Sequence, residues 1–135
     1  MLPTIGRLAL GAALLFAGIG HFVNAEAFLA QVPGWMPAPE AVVAISGVIE
    51  LILGASLILA PRKYRATIGW VVAAFFVVIF PGNISQFVTG TDAFGLDTDA
   101  ARFVRLLFQP LLVVWALWCT SAWVNWRESR RQATR

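Results

Sequence analysis

The stretch from Ala41 to Ala60, AVVAISGVIELILGASLILA, limits what this chain can fold into more than any other feature. Every residue in it is apolar or small except Glu50, which lies at its middle. About twenty residues at ~1.5 Å rise cover roughly 30 Å, the thickness of a bilayer's hydrocarbon core. A carboxylate at that depth costs about 2.5–3.5 kcal/mol on insertion scales, so it requires a partner or a proton. Composition points the same way. Hydrophobic residues make up 59% of the chain and charged residues 13%, about half the usual charged share. The mean hydropathy is +0.77. That leaves too little polar surface to coat a water-soluble body of this size, so a lipid bilayer is the expected solvent.

The formal charge of +3 does not imply a nucleic-acid partner, because the basic residues flank hydrophobic segments instead of striping a soluble face. One cysteine, Cys119, excludes an internal disulfide and any dithiol pair within the chain. It lies in an apolar run, where a thiol serves as packing.

Four hydrophobic segments follow one another. The first, Leu8 to Val23, reads as a transmembrane helix. A secretory signal peptide is the rival reading, since Ala25 and Ala27 form an A-x-A pattern, but the run is long for a signal's apolar region. Asn24 to Glu40 holds Pro33, Gly34, Pro37 and Pro39, which forbid a continuous helix, while Phe28, Leu29, Trp35 and Met36 keep it apolar. It is expected to be a re-entrant or interfacial loop with Trp35 at headgroup level. Pro39 and Glu40 open the second helix. After a basic turn, Pro61 to Arg65, a third segment runs from about Ala66 to Phe87 and is interrupted by Pro81 and Gly82. An acidic loop, Thr89 to Asp99, leads to a fourth from about Phe103 to Trp126 and a basic tail. The expected fold is all-α: one domain, an antiparallel bundle of four transmembrane helices with a Pro-rich interfacial loop between the first two. Eight of the ten basic residues fall on one side of this arrangement, which places both termini in the cytoplasm.

Each helix then brings polar groups to the outer half of the bilayer: His21, Glu50, Asn83 with Gln86, and Arg105 with Gln109. Polar side chains at membrane depth face a bundle interior, so these six are expected to converge as a ligand-binding site. Gly47, Glu50 and Gly54, at i, i+3 and i+7, share a face narrow enough for a neighbouring helix to approach. Glu50 with Arg105 is the natural ion pair, with room for a ligand or water between them. Phe75, Phe76, Phe80 and Trp115 are the expected pocket walls. A blander account is also open: Asn83 and Gln109 satisfy carbonyls freed by Pro81 and Pro110, and Glu50–Arg105 is a clasp. His21 has only Glu50 as a plausible co-ligand, so no metal site is expected.

The motifs AGIGHF, PGWMPAPE, ISGVIELILGASLIL with PRKYR, FPGNISQF and RFVRLLFQPLLVVWALW resemble those of the bacterial DoxX-like membrane proteins along nearly the whole chain. The resemblance implies a four-helix protein of the inner membrane. It also implies an association with quinone-dependent redox chemistry and with membrane oxidoreductase partners. In that family His21, Glu50, Asn83, Arg105 and Gln109 would fall at polar positions. The leading expectation is therefore a small subunit that binds a quinone-like lipophilic molecule, with catalysis left open. The alternatives are a ligand-free scaffolding subunit, a proton or small-solute transporter working as a homo-oligomer, and an isomerase-like enzyme using Glu50 and His21.

Overall fold

A computed structural model describes residues 1–135 and is built from helices and turns alone. The first helix, α1, spans Leu2–Val23 with a proline in its first turn. A short helix α2 (Ala25–Leu29) follows, then a run of turns that leads to α3 (Pro39–Leu59). Pro39 and Glu40 occupy the first turn of α3, as their chemistry favours. Its end is set by Pro61, which follows an extended Ala60.

A single 3₁₀ turn at Arg62–Tyr64 precedes α4 (Arg65–Val78), and α5 (Phe80–Thr89) continues it after a break at Ile79. The break has a local cause: Pro81 has no N–H to give and its ring crowds the preceding turn. Gly90, left-handed at φ +65°, ends α5. The next helix, α6 (Asp99–Cys119), starts at Thr98, whose hydroxyl accepts from Ala101 N at 3.2 Å. The sequence led us to expect one segment reaching Trp126. Instead α6 stops at Cys119, Ser121 turns left-handed at φ +58°, and a separate helix α7 (Ala122–Ala133) takes in the basic tail.

Four helical stretches are long and apolar enough to cross a membrane: α1, α3, the α4–α5 unit with its leading 3₁₀ turn, and α6. Their most extensive packing joins α1 to α3. There the backbones come close because both helices carry glycines: Gly11 lies against Gly54 and Gly18 against Gly47 and Leu51. Leu10 and Leu14 of α1, Leu53 and Leu57 of α3, Val72 and Phe76 of α4, and Ala116 and Cys119 of α6 form one buried core. The first segment is thus an integral part of the packing. Large apolar side chains such as Phe16, Val78, Leu111 and Val114 point outward, which suits helices solvated by lipid.

Candidate functional site

Beyond this core lies a cavity of about 390 Å³, floored by Leu10 and Leu14 and roofed by the turns that follow α2. Its size falls within the range of small-molecule sites. Five of the six polar residues singled out from sequence line it: His21, Glu50, Asn83, Arg105 and Gln109. They arrive from four different stretches, so their meeting is a product of the fold.

The sixth, Gln86, does not line this cavity. It is only 1% exposed, takes the Gln31 amide at 2.6 Å, and donates to the Ala93 carbonyl at 3.4 Å. Gln86 therefore ties the third helix to the two flanking loops. The expected walls also change. Of the four aromatics named, only Phe76 lines the cavity; Phe28, Val43, Met36 and Leu112 are among its other apolar lining residues. Trp115 faces the other end of the molecule, where its indole donates to the Gly6 carbonyl at 3.0 Å.

The amides on α5 and α6 are fully engaged. Gln109 Nε2 donates to the Phe76 carbonyl at 2.7 Å, just before the Pro81 break, and its Oε1 accepts from Asn83 Nδ2 at 2.9 Å. Asn83 Oδ1 in turn accepts from Arg105 Nε at 3.2 Å. The Phe94 ring lies 5.2 Å from the same guanidinium.

Glu50 is placed differently. It is 6% exposed, and its Oε2 accepts no hydrogen bond from the protein. The expected ion pair with Arg105 does not form, because the guanidinium is held toward Asn83 and Phe94. His21 Nδ1 lies 3.3 Å from Oε2 but outside hydrogen-bond geometry. That nitrogen donates to the Ala17 carbonyl at 2.9 Å, so it carries a proton committed elsewhere. The imidazole is further fixed by Phe28, whose ring centroid is 3.7 Å away. Buried polar atoms are nearly always partnered. Glu50 Oε2 is an exception, in a residue that lines the cavity.

Arg102, which shares its helix face with Arg105, stands apart from the site. It pairs with Asp92 and with Asp99 (2.8 Å) and donates to the Thr91 carbonyl at 3.3 Å, pinning the acidic loop. No three His, Cys, Asp or Glu side chains come together as a metal cluster.

Three contributors escaped the sequence reading: Gln31, Phe28 and Phe94. Phe28 and Phe94 meet edge to face at 4.8 Å, so His21, Phe28, Phe94 and Arg105 make a continuous stacked rim. One signal was available for Gln31, a lone amide in an otherwise apolar, proline-broken loop. For Phe94 the signal is conformational only: its left-handed backbone, φ +55°, turns the loop inward.

No curated protein and no solved structure matches the chain. Residues 10–120 match a family described as a domain of unknown function, DUF8561, and the chain belongs to that family.

Proposed function

We propose that this protein is a multi-pass component of the bacterial inner membrane that binds a quinone-like lipophilic molecule in the cavity beside Glu50. In this reading the four long helices run antiparallel with both termini cytoplasmic, and the Pro-rich turns after α2 lie at the outer interface. The pairing of Gly11 with Gly54 and of Gly18 with Gly47 supports opposite chain directions for α1 and α3. The distribution of basic residues supports the orientation.

The observation that carries the proposal is a buried carboxyl with an unpartnered oxygen, Glu50, among the residues lining a cavity with mostly apolar walls. Such a site suits a ligand with an apolar ring and two polar ends. Glu50 accepts from a hydroxyl at one end, and Arg105 donates to the oxygen at the other. The quinol form, with a hydroxyl at each end of its ring, has that pattern. Electrons would come from a partner oxidoreductase, since these residues assemble no redox centre of their own. The DoxX-like resemblance, carried by motif residues alone, belongs to the same proposal.

The test is binding of a short-chain ubiquinol analogue, kept reduced, to purified protein in nanodiscs, followed by tryptophan fluorescence. Glu50→Gln is expected to weaken binding on the order of tenfold or more, the loss of a hydrogen bond to a charged group. Unchanged affinity in the variant removes the site. A scaffolding role is favoured by one specific observation, the use of Gln109 and Asn83 to patch the Pro81 break. It predicts no detectable ligand, while Gln109→Leu lowers the melting temperature.

A further inference from the structure

The end of the molecule away from the cavity carries its densest charge. The turn at Arg62–Tyr64 with Arg65, and helix α7 with Arg127, Arg130 and Arg131, contribute six cationic groups. They are brought to one end by a close approach. Gly69, one turn into α4, has no side chain and is filled from the other side by Thr120, whose hydroxyl donates to the Ala116 carbonyl at 2.7 Å. Ser121 then redirects the chain, and α7 packs against both α4 and α6.

None of these six groups lies within 4.0 Å of a carboxylate, in contrast to Arg102. Glu128 is the single acid in α7. Arg7, at the same end, is spent internally: its guanidinium donates to the carbonyls of Leu57 and Ile58, the last turn of α3. The six cationic groups are therefore not ion-paired within the protein, and Glu128 is the one acid beside them.

The spacing of α7 adds a second feature. Trp123, Trp126, Arg127, Arg130 and Arg131 recur at three and four residues, so they share one face. Only Ala122 of this helix is buried. The two indoles stack at 5.2 Å and Arg130 lies 5.4 Å over Trp126. Across from them Lys63 lies 4.7 Å over the half-exposed Tyr64 ring. Aromatic rings at the end of a membrane span mark headgroup level, and arginine is the side chain suited to phosphate oxygens. An anion at that depth, held beside indole rings, is a phospholipid phosphate.

We propose that α7 and the Arg62–Arg65 turn form a docking surface for anionic phospholipid headgroups. Trp123 and Trp126 sit in the glycerol region, and the arginines engage phosphate. This surface is independent of the cavity and of what the cavity binds.

The experiment reconstitutes the full chain in mixed phosphatidylcholine and phosphatidylglycerol, extracts it gently, and counts retained lipids by native mass spectrometry. The wild type is expected to retain phosphatidylglycerol in preference to phosphatidylcholine. A basic group near an anionic leaflet contributes on the order of a fivefold gain in association. The triple variant R127Q/R130Q/R131Q should therefore lose about tenfold or more of that enrichment, and R127K/R130K/R131K should keep most of it. Equal melting temperatures of all three proteins in pure phosphatidylcholine would show that the loss is not one of folding. The proposal is overturned if the wild type retains both lipids equally, or if the glutamine variant retains phosphatidylglycerol as the wild type does. It is overturned too if inorganic phosphate or polyglutamate occupies the surface while phosphatidylglycerol does not.

Discussion

Gln109 sits where a proline has broken a neighbouring helix, and its amide is used on both sides. It supplies a donor to the Phe76 carbonyl and an acceptor to Asn83. In a membrane no water replaces either bond, so each orphaned group costs about 1–3 kcal/mol. Gln109→Leu is expected to destabilise the protein by about 2 kcal/mol or more, read from denaturant unfolding in detergent. Because Asn83 then loses its partner too, the double variant with Asn83→Leu should cost less than the two single losses summed. A coupling of at least ~0.5 kcal/mol is expected in the double-mutant cycle. Glu50 is recognisable from sequence as an acid in an apolar run. Its lack of a partner is not, because that depends on where His21 and Arg105 spend their donors.

Between α1 and α3 the contact is backbone against backbone. A Cβ on Gly54 would lie 2.8 Å from the Gly11 carbonyl oxygen and 2.9 Å from the Leu15 nitrogen, neither of which can rotate aside. Gly54→Ala is therefore expected to cost about 1–3 kcal/mol, the range for overpacking, seen as a fall in melting temperature. Gly34→Ala, with nothing within 4 Å, is the silent control. The spans themselves were legible, since length and hydropathy are local properties. The division of the fourth segment was less so: Thr120 and Ser121 carry no strong breaker signal, and the turn there answers to the packing of Thr120 on Gly69. Gly82 shows the same dependence, because a Cβ there would meet the Gln31 carbonyl at 3.2 Å. The loop after α2 reaches the third helix at that point.

The whole molecule divides into a packed end and a hollow one. Leu10, Leu57, Val72 and Ala116 fill the first almost completely, while the second keeps its volume under the α2 turns. Ser46 lines the cavity from α3 one turn from Glu50. Ser46→Phe should fill part of that volume without disturbing a hydrogen bond of the site. Loss of quinol-analogue binding with an unchanged or higher melting temperature is the expected result. A fall in melting temperature with binding retained would mean that the space is not where the ligand sits.

From sequence alone came the solvent, the helical class, the spans and the identity of the polar residues too costly to leave facing lipid. Those follow from transfer free energy and helix geometry, which act residue by residue along the chain. Tertiary structure alone decided which polar groups are spent and which are left over. Gln86 is consumed by Gln31 and Ala93, the Nε proton of Arg105 by Asn83, and the Nδ1 proton of His21 by Ala17, whereas Glu50 keeps a free oxygen. Hydrogen-bond partners are assigned by distance and angle between separate segments, and no pattern within one segment encodes them.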